Sequence, residues 1–226
     1  MNRATTLAAP DSARPVGNVK ATREDWVDAA LAILATEGVG RVAILSLSER
    51  LGVSRSSFYW YFKDRADLLL ALLARWASLN TRSILVQAAA PAATINESVC
   101  NIFRCWVNPT IFSPRLDFAV REWARASQST RDALDGADTL RTRAIQTTFE
   151  RFGYERDDAL VRARTLYYLQ IGYYALDIRE PLAERLALTP YYLRTITGVA
   201  ARDSEMASFR TYALAHADKI DFGGRV

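Results

Sequence analysis

Catalytic raw material is scarce in this chain. Its 226 residues include one histidine, His216, and two cysteines, Cys100 and Cys105. No His/Cys spacing forms a metal-ligand set, and no nucleophile stands beside a base and an orienting group. The sequence therefore nominates no catalytic residue, no metal ligand and no cofactor, and an enzyme is not expected. Asp157 and Asp158 are adjacent but read as helix-opening carboxylates, favoured there by the helix dipole. Arg121, Glu122 and Arg125 read as a surface ion-pair network. Five positions separate the cysteines, about 140° around a helix, which points them apart and argues against a mutual disulfide. They read as small buried hydrophobes.

Long apolar runs are also missing: no stretch approaches the roughly 20 residues of a membrane-spanning helix. Asp11, Pro15 and Gly17 interrupt a weak apolar patch that does not resemble a secretory signal, so a cytoplasmic protein is expected. Charge imbalance is small, a formal +4, but unevenly placed: residues 1–83 carry 11 Lys plus Arg against 8 Asp plus Glu, the remainder 18 against 17. The basic surplus thus accompanies the N-terminal third, as a polyanion partner would require. With 50% hydrophobic residues the chain can bury substantial cores.

What is present is helical periodicity almost throughout, giving an all-α class. Residues 1–19, rich in Ala, Pro, Ser and Thr, read as a flexible arm; Arg3, Arg14 and Lys20 would let it touch a minor groove. Thr22 caps a helix to about Glu37, with Trp26, Ala29, Ala30, Ile33 and Leu34 as its apolar stripe and Gly38 as its stop. Ile44, Leu47 and Leu51 define a short helix that Gly52 ends in a left-handed conformation. Ser54 is then the natural N-cap of another. In that second helix Val53, Phe58 and Tyr61 are expected inward, leaving Arg55, Ser56, Ser57, Tyr59 and Trp60 wholly or partly outward.

Two short helices about a glycine hinge are how a chain offers a helix to the DNA major groove. Arginine can take a guanine edge bidentately, hydroxyls can bond bases or phosphates, and a tyrosine hydroxyl suits a phosphate. The amide groups at the helix start favour a phosphate as well.

With this motif, residues 22 to about 80 resemble the TetR family of bacterial repressors. The resemblance is carried by a helix ending in Gly38, then Leu-Ser-Glu-Arg-Leu-Gly-Val-Ser from Leu47, then Phe-Tyr-Trp-Tyr-Phe-Lys-Asp-Arg from Phe58 and a Leu-rich helix. It implies a DNA-binding domain over 20–80, motif about 43–62. Tyr59 stands at the family's phosphate-contacting tyrosine, Arg65 at a lysine that touches the DNA backbone, and Lys63 adds a third contact. Arg55, Ser56 and Ser57 would decide the bases, with Ser54 and Trp60 completing the surface. The sequence departs from the pattern at Ala43, where a Thr or Ser cap is usual, and at Ser48, where Ala is.

Asp64 is expected to cap a long helix, with Leu68, Leu69, Leu72, Leu73 and Trp76 inward, running to near Asn80 or beyond and joining two domains. An Ala/Pro stretch at 88–93 marks the next connection. Helices are then expected over Thr94 to about Trp106, Leu116 to Ala126, Ser129 to Phe152, from Asp157 or Asp158 to Leu176, and 182–198, with breaks at Pro109, Pro114 and Gly153. After about residue 200, Met206, Phe209, Tyr212 and Leu214 are only weakly amphipathic, so 201–226 is read as a tail without a placement.

The resemblance makes 81–200 a helical ligand-binding and dimerisation domain. It implies a homodimer through Leu160, Leu169 and Tyr173 on one helix and Leu182, Leu186, Leu193 and Ile196 on the next. It also implies a pocket for a small hydrophobic or aromatic inducer. In the family it lies between the fifth to eighth helices and beside the connecting helix, which maps here to Phe103, Trp106, Phe118, Glu122, Trp123, Phe149, Tyr167, Gln170 and Tyr174. The expected function is a dimeric repressor that leaves a palindromic operator when the inducer binds. A second reading keeps the DNA-binding unit but has the C-terminal domain answer a protein partner or only dimerise. Activation versus repression depends on operator position, which no residue encodes.

Overall fold

A computed structural model describes residues 20–216. The expected arm at 1–19 lies outside them, as do 217–226. Every regular element among the described residues is helical. Helix α1, Arg23–Glu37, opens on a capping box: Thr22 Oγ1 accepts from the Asp25 N–H at 3.2 Å and the Asp25 carboxylate accepts from the Thr22 N–H at 2.7 Å. Such a cap is worth about 1 kcal/mol. After a short turn, α2 spans Ile44–Leu51 and stops at Gly52, whose φ of 66° and ψ of 30° are left-handed. A side chain there would be strained. Ala43 supplies no side-chain cap, as its composition dictates, and Ser48 fits the helix crossing by donating its hydroxyl back to the Leu45 carbonyl at 2.8 Å.

Asp64 caps α3, Arg65–Trp76, by accepting from the Asp67 N–H. The helical run continues beyond Asn80. A π-helical turn at Ala77–Thr81 passes it directly into α4, Arg82–Ala89. The turn is where Asn80 swings inward, donating to the Ser113 carbonyl at 2.9 Å and accepting from the Ser113 N–H at 3.0 Å. The remaining helices are α5 Ile95–Val107, α6 Pro114–Ala124, α7 Gln128–Arg151, α8 Arg156–Ala175, α9 Leu182–Thr197 and α10 Asp203–Leu214. Thr94, Ser113 and Ser127 cap α5, α6 and α7 through side-chain oxygens.

Two apolar cores result, and the first does not stop at residue 80. Trp26, Leu47, Phe58, Phe62, Leu68 and Leu72 are joined in it by Leu116, Val120 and Trp123 of α6 and by Leu134 and Ala137 of α7. The second is built from α4, α5, the far half of α7, α8, α9 and α10. It also takes in part of the unplaced tail, since Phe209 and Ala213 of α10 are buried there against α5.

Between the cores runs a balanced charge network. Asp117 Oδ1 accepts from Trp76 Nε1 at 2.9 Å, Asn80 Nδ2 at 3.3 Å and Arg141 Nη1 at 2.9 Å. Arg121 donates to Asp117 and grips Asp138 with both Nη atoms at 2.8 Å. Tyr167 donates its hydroxyl to Asp138 and accepts from Arg121 and Arg141. Arg121 is therefore not part of a surface network; of the three expected partners, Arg125 and Glu122 pair at the surface. Burial works against ionised Asp117, yet Arg141 and Arg121 hold its carboxyl below the ordinary range.

Candidate functional site

The segment after Gly52 is not the α-helix its spacing predicts. Arg55–Trp60 is a single short 3-10 helix, entered from an extended Ser54. Its tighter pitch, about three residues per turn, redistributes the faces. Ser54 occupies the cap position but its hydroxyl bonds to that of Ser56 at 2.8 Å and does not cap. Ser57, expected outward, is buried, and its hydroxyl donates to the Ser54 carbonyl at 2.7 Å. Tyr61, expected inward, is at the surface, and Phe62 takes the inner place.

Phe58 anchors the segment. Its ring meets Trp26 edge-on at 5.3 Å and stacks on Phe62 at 5.2 Å. Tyr59 rests edge-on against the same ring at 5.3 Å while remaining 60% exposed, and Trp60 is 72% exposed. Arg55, Ser56 and Lys63 are exposed with them. The presented surface is thus two aromatic side chains seated on a fixed core, with two cations and a hydroxyl beside them. It can stack, donate to acceptors and attract anions.

Arg65 makes two backbone contacts across the unit. Its Nε donates to the Val42 carbonyl and its Nη2 to the Val39 carbonyl, each at 2.6 Å. The guanidinium therefore ties the start of α3 to the turn between α1 and α2 through Nε and Nη2, while the residue stays exposed. Because its partners are backbone groups 23 and 26 residues away, no local spacing reveals the clamp.

The expected pocket residues divide. Phe103, Trp106 and Gln170 line a cavity of about 80 Å³ between α5, α8 and α9. Trp106, Phe118, Glu122, Trp123 and Tyr174 line an open cleft of about 770 Å³. Its opposite wall is the end of α1, a contribution the sequence reading missed. Phe149 and Tyr167 line neither: Phe149 is wholly buried against Tyr154, and the Tyr167 hydroxyl is consumed by the charge network. Cys100 and Cys105 are both free and buried, and burial pushes each thiol up to about 12, so neither is a thiolate.

Three residues expected at a dimer interface belong instead to the protomer's own core: Leu186, Leu193 and Ile196 are buried in it. Leu160, Tyr173 and Leu182 are half-buried, and Leu169 is exposed. The apolar face left open on these two helices overlaps the expected one at Leu169. On α8 it consists of Val161, Tyr168, Leu169 and, just past the helix, Leu176; on α9 it consists of Leu188, Tyr191 and Tyr192.

Comparison with known proteins places this geometry. Residues 27–72 match the model of the bacterial regulatory proteins, tetR family. The HTH-type transcriptional regulator EthR of Mycobacterium tuberculosis is 32% identical over 111 residues, covering 46% of this chain and 50% of EthR. The regulator AcrR of Shigella flexneri is 36% identical over 47 residues, 21% of this chain and 22% of AcrR. The chain thus spans half or less of the length of these curated relatives. Among solved structures, Mycobacterium smegmatis AmtR superposes with a TM-score of 0.59 at 16% identity, covering 89% of this chain and 97% of that one. A TetR-family regulator from a Rhodococcus species gives 0.53 at 14% identity, covering 86% and 98%. At such identities these two matches establish the fold.

Proposed function

Since the chain belongs to the TetR family of transcriptional regulators, we propose that it is a sequence-specific DNA-binding regulator. It works as a homodimer on a palindromic site in the cytoplasm, represses, and is released by a small apolar or aromatic molecule. The observation that carries this reading is the surface of Arg55, Ser56, Tyr59, Trp60 and Lys63, exposed on a segment that Phe58 fixes to the core. Tyr59 and Lys63 hold phosphates, and Arg55 with Ser56 reads base edges. Ser57 supports from beneath and touches no base.

A unit this small covers few base pairs, so useful specificity comes from two units related by a two-fold axis. The open apolar stripe of α8 and α9 is the surface on which a second copy packs. A molecule that binds the protomer better in one spacing of the two recognition segments shifts operator affinity by that difference in binding.

Selection of bound fragments from the source genome tests this reading. Enrichment of a two-fold symmetric sequence is the expected result, with affinity that falls steeply as salt rises. Recovery of no enriched sequence would overturn it.

A further inference from the structure

Two polar atoms one turn apart on α8, Gln170 Nε2 and Tyr174 Oη, are buried and meet no hydrogen-bond partner beyond each other. Buried polar groups are normally satisfied, so such a pair marks a point prepared for an acceptor. Burial raises the Tyr174 phenol well above its usual range, which keeps the hydroxyl protonated as a donor. Its ring lies nearly parallel to Phe112, at 6.4 Å and 19°. Tyr174 belongs to the wall of the 770 Å³ cleft, and Gln170 lies behind it in the smaller cavity; the two spaces share Trp106 and Tyr173 as walls.

The cleft lies between the two cores. Leu34, Gly38 and Val39 close it from the recognition unit, Phe118 and Trp123 from α6, and Tyr173 with Tyr174 from α8. Its charged lining balances, with Arg115 and Arg179 against Glu122 and Asp177. The carboxylates already have partners, Glu122 in Arg125 at 3.4 Å and Asp177 in Arg179 at 2.6 Å. Nothing there selects an ion. The volume falls within the roughly 300–1,000 Å³ of small-molecule sites. Val39, in the wall, is also the residue whose carbonyl Arg65 holds.

We propose that this cleft binds an uncharged, flat aromatic molecule carrying a carbonyl-type acceptor, which Tyr174 engages with Gln170 behind it. The occupant bridges the α1–α2 turn to α6 and α8, so it acts on the recognition unit by direct contact as well as through the long helix. This rests on the reading of the chain as a ligand-responsive regulator, but its test needs no DNA and fails separately from the fragment selection.

The probe is 6-propionyl-2-(dimethylamino)naphthalene, an uncharged fluorescent ketone, compared with 2-(dimethylamino)naphthalene, which lacks the ketone, on the full chain. Saturable binding of the ketone with blue-shifted emission is expected. Tyr174→Phe should weaken the ketone by about 3- to 10-fold, the range of one hydrogen bond, and leave the ketone-free probe unchanged. Ala35→Trp and Thr36→Trp, each placed at the α1 wall, should abolish binding of both probes without lowering the melting temperature. Ketone affinity unchanged in both tryptophan variants, equal weakening of the two probes by Tyr174→Phe, or no binding of the ketone would each overturn the proposal.

Discussion

Arg65 holds two carbonyls of the α1–α2 turn at once, and this divalent grip is a use for which a guanidinium is suited and an ammonium is not. Arg65→Ala should therefore lower unfolding free energy by about 1–3 kcal/mol, read by urea denaturation. Arg65→Lys should restore only part of the loss, because one ammonium cannot reproduce the fork. Full stability in the alanine variant would show that the clamp contributes nothing. That position 65 is a cation was legible in the sequence; that two of its donors hold the α1–α2 turn was not, because its partners are peptide groups and peptide groups carry no sequence signal. Ser57 was misassigned for a related reason, its hydroxyl being satisfied by the Ser54 carbonyl.

Asp117 is the other residue with a consequence of its own. Fully buried, it faces Arg141 and Arg121, so Asp117→Asn leaves two guanidinium groups sharing the single carboxylate of Asp138. The expected cost is about 3–5 kcal/mol at pH 7. Since its folded pKa lies below the ordinary 3.8, its stabilisation is complete above that value and is lost as pH falls through the folded pKa. The gap in stability between native protein and Asp117→Asn should accordingly narrow as denaturation is moved from pH 7 toward pH 3. A gap that is constant with pH would contradict the assignment.

Among elements, helices with side-chain caps and glycine stops were legible to within a few residues, because Thr22, Asp64, Thr94, Gly52 and Gly153 act locally. The 3-10 turn at Arg55–Trp60 and the π turn at Ala77–Thr81 were not. Each is set by a tertiary anchor, Phe58 in the first core and Asn80 on Ser113. Faces of α8 and α9 were harder still: a helix apolar around much of its circumference does not say which stripe its own core takes. The core took Leu186, Leu193 and Ile196. In the dimer account, Tyr168→Glu combined with Tyr191→Glu should convert the dimer to a folded monomer in sedimentation equilibrium, since both are exposed in the protomer. A double variant that stays dimeric would move the interface to another face.

In the whole molecule, the first core is shared between the recognition unit, α6 and the start of α7, while the helical run from Arg65 to Ala89 passes on into the second. The charge network lies where that run crosses α6 and α7, so the recognition unit is not hinged freely on one helix. Two domains split at residue 80 would predict loose coupling; a shared core predicts that distortion near α6 reaches Phe58 and the residues it seats. Composition and spacing made the helix-turn-helix and the class readable. They could not reveal that α6 belongs to the DNA-binding core, because this depends on its packing against α1 and α3, which lie far before it in the chain.

The central claim is that the segment from Ser54 to Trp60 reads DNA, with Arg55 at the bases. Parallel selection from one pool of genomic fragments, by the native protein and by Arg55→Ala, tests it most directly. The account predicts a symmetric motif for the native protein, and for the variant a relaxed preference at one pair of symmetry-related positions with affinity lowered by about 1–3 kcal/mol per half-site. Identical motifs bound with identical affinity would contradict it.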